Sequence, residues 1–289
     1  MAKKLAKRTK QLNRSAAGNA GVIIVLSLFG AFMLLPMIYT ISSSLKPLDE
    51  LWVFPPRFFV RNPTTRNFQD LFRLLSDSMV PFSRYIFNTV VIAVVGTLGH
   101  VVLASMCAYA LSKHEFPGSK VIFQLVVLAL LFNASVTAIP NFMIITWLHL
   151  LDNPLALIVP AFGSSLGLYL MKQFMEQMVQ DSVLEAARID GASEWRVFWG
   201  IVMPTVKPGW LTLIVFSFSG LWNTGASNVI YSESLKTLNY AMSQILAGGI
   251  ARAGVGTAAS VIMMIVPITV FIITQSNVVE TMGASGMKE

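Results

Sequence analysis

Residues 85–112 read YIFNTVVIAVVGTLGHVVLASMCAYALS, bracketed by Arg84 and Lys113 and free of Asp, Glu, Lys and Arg. An α-helix needs about 20 apolar residues to cross the roughly 30 Å hydrocarbon core of a bilayer. Each charge at the centre of such a helix costs about 2.5–3.5 kcal/mol. The uninterrupted run is therefore a predicted membrane span. The same criterion finds five more, at 15–45, 121–151, 153–171, 208–232 and 253–279. The run 121–151 exceeds one span, and Pro140 is where its membrane part is expected to end or kink. A shorter uncharged run, 237–251, ends near Gly248 and Gly249 and reads as a half-buried loop or short helix.

Composition points the same way. The chain has 289 residues, 55% hydrophobic and 12% charged, whereas an average soluble domain is about 25% charged. A single water-soluble core of this length cannot hide so much apolar side chain, and disorder and coiled coil are excluded by the same figures. The expected fold class is an all-α integral membrane protein with six transmembrane helices. Cys107 is the only cysteine, which excludes an internal disulfide and a cysteine-built metal site, and His100, His114 and His149 are scattered. No catalytic, metal or cofactor residue is assigned, and an enzyme is not expected.

Lys and Arg set the orientation. The first tail holds Lys3, Lys4, Lys7, Arg8, Lys10 and Arg14, and with six spans the same side receives Lys113, Lys120, Lys172, Arg188, Arg196, Lys207 and Lys288. The other side receives eight, six of them in the long segment 43–85, where the bias counts for little. Both termini are thus expected in the cytoplasm. The net charge of +7 becomes a topology signal rather than a sign of nucleic-acid binding. The apolar run Ala20 to Ile41 is too long for a cleaved secretory signal. The expected organisation is a basic cytoplasmic tail 1–19, a first transmembrane helix 20–42 and an extracytoplasmic segment 43–84. A five-helix core 85–280 follows, containing a cytoplasmic loop 181–209, and then a cytoplasmic tail 281–289.

That loop is the most informative stretch: DSVLEAARIDGASEWRVFWGIVMP, Asp181 to Pro204. Ser182 and Glu185 have the spacing of a capping box. The helix they start should run to about Asp190, where Gly191 supplies the left-handed residue that closes it. Ser193 can cap a second helix through Trp195, Phe198 and Val202, stopped by Pro204. The result is a stiff helix-turn-helix. The competing reading is an amphipathic loop lying on the membrane, which Trp195 and Trp199 would suit.

The string Glu185-Ala186-Ala187, Gly191, Ile201, Pro204 resembles the EAA loop of ABC importer permeases. Asn88-Thr89, Ala108 to Ser112, Phe116-Pro117-Gly118, Ile139-Pro140, Trp222-Asn223 and Gly283 to Glu289 look like the carbohydrate-uptake branch, with the maltose-type second permease subunit as the nearest pattern. The resemblance covers roughly 20–289. It implies the ABC importer permease fold with EAA coupling helices, a heterodimer with a sister permease subunit, and two ABC ATPase subunits holding the coupling loops in surface clefts. The chain has no Walker A sequence, so ATP and Mg would sit on those partners. Glu185 would be the main polar contact to the ATPase, Ala186 and Ala187 the close-packing face and Gly191 the turn, with Asp190, Ile201 and Pro204 completing the coupling motif. An extracytoplasmic sugar-binding protein would deliver cargo, and the expected location is the bacterial cytoplasmic membrane.

No ionisable side chain lies inside the six predicted spans, which disfavours proton relays and ion-coupled symport. Sugars are held by amides and aromatic faces, so the substrate-path candidates are Asn88, Asn133, Trp147, Trp222, Asn223 and Tyr231. Each has a competing role, as a helix–helix hydrogen bond for Asn or an interfacial anchor for Trp. Phe68, Leu71, Phe72 and Leu75 repeat at helical spacing within 66–76, which predicts a short lid helix over the spans. The expected cargo is an oligosaccharide. The overall look is nearest to permeases for fragments of plant or algal polysaccharides, uronate-containing ones included. A non-sugar ABC permease and a stand-alone secondary transporter are the alternatives.

Overall fold

The computed structural model describes residues 16–76, 80–225 and 228–285. The basic tail through residue 14 and the terminal Lys288 and Glu289 lie outside the described residues. Among the described residues every regular element is helical. In chain order these are α1 (Ala16–Ser44), α2 (Leu48–Leu51), α3 (Arg66–Ser76), α4 (Phe82–Lys113), α5 (Ser119–Ala129), α6 (Ala134–Trp147), α7 (Leu155–Phe162) and α8 (Ser165–Met178). They continue with α9 (Asp181–Ile189), α10 (Glu194–Val197), a π-turn over Phe198–Val202, α11 (Met203–Thr205), α12 (Lys207–Trp222), α13 (Leu238–Leu246) and α14 (Ala253–Ser285).

Four stretches are long and apolar enough to cross a membrane: Gly18–Ser44, α4, the pair α7–α8 over Leu155–Met178, and Ala253–Gln275 of α14. A fifth arises if the helix ending at Thr205 and α12 count as one span broken by 79°. The expected third span differs most. Residues 121–151 form two short helices, α5 and α6, and the break falls at 130–133 rather than at Pro140. Asn133 explains the position, because its side-chain oxygen accepts the N–H of Ser135 at 2.9 Å and starts a new helix there. Pro140 lies inside α6. The run 208–232 also shortens, since α12 ends at Trp222, where the Asn223 amide turns back to Ser219 O at 2.8 Å.

α4 is the axis of the bundle, packing against α12, α8 and α7. Its buried residues fall in two adjacent i+4 rows, Asn88-Ile92-Gly96-His100-Ala104-Ala108 and Thr89-Ala93-Thr97-Val101-Ser105-Tyr109, so one stripe is covered along the whole helix. Lipid is as apolar as leucine, so such packing rests on close contact rather than on escape from water. Small residues supply that contact. A Cβ at Gly96 would meet Leu221 at 2.5 Å, and one at Gly99 would overlap the ring of Phe162.

One buried cluster, including Ala108, Tyr109, Met171, Met175, Leu184, Phe198 and Val202, sits at the end of the bundle that carries α9 and α10. A second, including Leu71, Leu75, Tyr85, Trp222, Leu238 and Val255, sits at the opposite end. There α3 forms the expected lid, with Leu71 and Leu75 buried against α14. The segment leading to it is tied down by buried polar groups. Lys46 Nζ donates to Arg57 O at 2.5 Å, Glu50 accepts the N–H groups of Arg61 and Asn62, and Asn67 Nδ2 donates to Ser44 O and Lys46 O. The 237–251 run holds the short helix α13, capped by Thr237.

Candidate coupling elbow and transport groove

α9 begins one residue before the expected capping box. Gln180 is its N-cap and Asp181 its first residue, so Ser182 lies inside the helix and its hydroxyl caps nothing. Asp181 instead joins Lys113 Nζ at 2.7 Å, and a carboxylate in the first turn also suits the positive end of the helix. The other end follows the sequence closely. Gly191 has φ +78°, Ala192 N–H donates to Ala187 O and Gly191 N–H to Arg188 O, each at 3.0 Å. These are the two bonds of a Schellman closure. Ser193 then caps α10, its oxygen accepting the N–H of Arg196 at 3.4 Å.

Pro204 does not stop the second helix. The chain passes through it to Thr205 and turns at Val206. Proline lacks an N–H and crowds the carbonyl four residues earlier. The π-turn over Phe198–Val202 lies immediately upstream, with Met203 N–H donating to Phe198 O one residue further back than in an α-helix. This relaxed turn accommodates the proline.

Two anchors fasten this elbow to α4, neither of them predicted from the sequence. Lys113, the last residue of α4, donates from Nζ to Val179 O and to Asp181 Oδ1, each at 2.7 Å. Glu194 is gripped from two sides: Arg188 Nε donates to Oε1 at 2.7 Å and the Tyr109 hydroxyl to Oε2 at 2.7 Å. His114 Nε2 stands 3.5 Å from the same carboxylate. Arg188 above all, then Tyr109, hold the Glu194 carboxyl below the usual carboxylate range against a weaker upward push from partial burial. The Tyr109 ring also lies 5.5 Å from that of Phe198. The available signal was the i,i+4 spacing of Tyr109 and Lys113 at the end of a span. Arg188 and Glu194 are separated by a turn and carry no such pattern.

Of the elbow residues named from sequence, Glu185, Ala186, Asp190, Gly191 and Pro204 are exposed, while Ala187 and Ile201 are half-buried against the packed cluster. Glu185 makes no hydrogen bond or ion pair among the described residues. One turn on, Ile189 is 87% exposed, and Trp195 on α10 is 61% exposed, so the elbow presents a free carboxylate and exposed apolar side chains.

The substrate-path candidates do not gather in one place. Asn88 is buried, and its Nδ2 donates to Ser234 O at 2.9 Å and Lys236 O at 3.0 Å. Trp222 is buried, with Nε1 donating to Met263 O at 3.1 Å. Both spend their donors on the backbone. Asn133 caps α6, and Trp147 is 81% exposed on its surface. Tyr231 lies on the 228–232 turn, whose N–H groups at 231 and 232 bind Asp152 Oδ1. Asn223 alone among them lines a groove, of about 400 Å³, with Asn239, Met242, Ser260, Met263 and Pro267. Asn239, which is not among the sequence candidates, donates to Asn223 O. A smaller apolar cleft beside His100, Ser164, Gly167 and Ser217 lies between α4, α8 and α12.

Comparison with known proteins places this architecture. The diacetylchitobiose uptake permease NgcG of Streptomyces coelicolor is 28% identical over 76% of this chain and 70% of its own. The polygalacturonan/rhamnogalacturonan transport permease YtcP of Bacillus subtilis is 30% identical over 71% of this chain and 69% of its own. The arabinooligosaccharide permease AraQ of the same organism is 26% identical over 92% of this chain and 95% of its own. A chain from the crystal structure of a bacterial ABC transporter involved in import of the acidic polysaccharide alginate shares the fold, with a TM-score of 0.72 at 24% identity, covering 92% of this chain and 99% of that one. Residues 20–282 match the family described as binding-protein-dependent transport system inner membrane component, and the chain belongs to that family. It is a transport subunit and a multi-pass membrane protein rather than an enzyme.

Proposed function

We propose that this family member is the permease subunit of an ATP-driven importer that moves an oligosaccharide across the bacterial cytoplasmic membrane. It pairs with a sister permease, is driven by two ABC ATPase subunits that hold ATP and Mg, and receives cargo from an extracytoplasmic binding protein. The elbow faces the cytoplasm with both termini, and α3 and the 43–84 segment face outward. Six spans result if α5–α6 is a broken third span and α12 the fifth.

The observation that carries this reading is the free Glu185 carboxylate on an elbow clamped rigidly at Lys113 and Glu194. A membrane-lying loop has no need of such bracing, and its charged side chains would point to water with no fixed geometry. A lever that an outside subunit must push needs both a stiff base and an unsatisfied polar contact. Glu185 with Ala186, Ala187, Asp190 and Gly191 forms that contact, and Ile201 and Pro204 seat the lever on the bundle. Closure of the ATPases then rocks the bundle between inward- and outward-open states.

On the outer side, the groove of Asn223 and Asn239 supports a sugar path, since amides match hydroxyl groups and the surrounding Met and Pro residues offer apolar surface to ring faces. The named cargo of the chitobiose, arabinooligosaccharide, galacturonan and alginate relatives supports the oligosaccharide class. The test is uptake into proteoliposomes holding this chain with its sister permease, with and without the ATPases, using oligosaccharides that calorimetry shows to bind the cognate binding protein. Uptake only with ATPases and ATP is expected. Uptake by this chain alone would replace the reading with a secondary transporter, and a binding protein that takes a non-sugar solute would replace the cargo.

A further inference from the structure

Both ends of α4 are pinned, and what they are pinned to differs. At one end Tyr109 and Lys113 hold the elbow through Glu194, Asp181 and Val179 O. At the other, Asn88 holds Ser234 O and Lys236 O, Thr89 Oγ1 accepts the N–H of Leu238 at 2.8 Å, and the Tyr85 hydroxyl donates to Glu233 at 2.7 Å. Leu238 is the first residue of α13, and Asn239 follows it into the groove. From Asn88 to Tyr109 the helix rises about 32 Å. α4 contains no proline, whereas α1, α6, α7 and α14 each carry one inside, at Pro36, Pro140, Pro160 and Pro267. Interior proline is the commonest origin of a helix kink. Of the three longest helices, α1, α4 and α14, only α4 is free of proline, and it is the one fastened to both sites.

We infer that α4 is the strut that carries displacement of the elbow to the Asn223–Asn239 groove, with the Tyr109–Glu194 bond as its inner joint and Asn88 as its outer joint. The inference rests on the elbow being the ATPase contact. Tyr109, Glu194 and Asn88 are positioning residues that touch neither ATPase nor sugar. Glu194 ties α9 and α10 to α4 as one body, because its carboxylate binds residues on both sides. Asn88 Nδ2 donates to two carbonyls of the 233–237 segment, Ser234 O and Lys236 O, so this segment cannot slide along α4 without losing both. Contiguity of packed elements by itself does not establish coupling. The coupling must be measured as the effect of one site on the other.

The experiment uses the assembled transporter with Cys107→Ser and a groove reporter, Ser260→Cys, in proteoliposomes. The reading is the labelling rate by a membrane-impermeant maleimide, nucleotide-free against vanadate-trapped with Mg-ATP. With native joints the two states differ by about fivefold or more, the lower end of ordinary coupling. With Glu194→Leu or Asn88→Ala the ratio falls below about twofold while ATPase subunits still co-purify and hydrolyse ATP, and Glu194→Gln, which keeps an acceptor for Tyr109, retains most of it. Combining Glu194→Leu with Asn88→Ala loses no more than the worse single change, because both break one path. Should Glu194→Leu fail to assemble, Tyr109→Phe removes a single hydroxyl and gives the same reading. Joint variants that keep the native ratio, or losses that multiply, overturn the strut. No ratio with native joints overturns the elbow reading itself, so the two failures are distinct.

Discussion

Tyr109 and Glu194, 85 positions apart in the chain, meet in a 2.7 Å hydrogen bond that joins the long axial helix to the second arm of the elbow. Arg188 shares the same carboxylate from the first arm. One side chain thus fixes three elements whose relative angle decides where the exposed Glu185 points.

Removing the Glu194 carboxylate tests that arrangement through pH. Its folded pKa is depressed, so its contribution is complete above the unfolded value of about 4.3 and is lost as pH falls through the folded value. In a His114→Gln background, which removes the imidazole 3.5 Å from the carboxylate, thermal stability of the assembled complex should therefore show no Glu194-dependent change between about pH 8 and pH 5, with Glu194→Gln shifting it by a constant amount. Below that range the Glu194 parent and the variant should converge. Convergence beginning near neutrality would contradict the pairing with Arg188.

Gly191 should tolerate asparagine better than valine. A Cβ there meets nothing within 4 Å, so any cost comes from the backbone at φ +78° and amounts to about 1–2 kcal/mol for an ordinary L-residue. Gly191→Val should distort the closure and depress transport about tenfold or more, while Gly191→Asn keeps most activity, because asparagine visits the left-handed region. Uptake assays with matched membrane levels decide this.

Glu185→Ala separates contact from capping. The side chain has no partner among the described residues, so its loss should change stability by less than about 0.5 kcal/mol. Co-purification of ATPase subunits and transport should nevertheless fall sharply. A variant that melts earlier yet binds the ATPases normally would return Glu185 to a merely local role.

Asn88 and Asn223 should respond in opposite ways. Asn88→Leu takes the side-chain donor from the buried Lys236 carbonyl, while Ser234 O keeps Arg84 Nε at 3.2 Å, at a cost of about 1–3 kcal/mol, and should lower stability in detergent. Asn223→Ala, at an exposed position beside the groove, should leave stability nearly unchanged and raise the sugar concentration needed for half-maximal uptake. Equal effects on both measures at both positions would show that the groove is not the sugar path.

Much of the architecture was legible in the sequence, because charge-free runs and left-handed glycine turns are local signals. α4, the lid helix α3, the Gly191 closure and the Ser193 cap fall where residue pattern puts them. The break at 130–133 does not show in the sequence because Pro140 is a conspicuous helix breaker, while Asn133, which starts α6, is inconspicuous in an apolar run. The capping box failed because Asp181 found a partner 68 residues away in Lys113, and long-range pairing leaves no trace in a local window. The same limit hid Glu194. Asn88 and Trp222 have the chemistry of amide and aromatic sugar contacts, and only their hydrogen bonds reveal that they brace the bundle.

On the proposed function, motive force from the ATPases enters this chain at the elbow. Ile189, 87% exposed beside Glu185, offers the most direct test. Ile189→Cys in a Cys107→Ser background should react with impermeant maleimide only from the cytoplasmic face, should cross-link to an ATPase subunit in the assembled transporter, and should halt sugar uptake once cross-linked. Labelling from the outer face, or undiminished uptake after complete cross-linking to the ATPase, would show that the drive enters elsewhere.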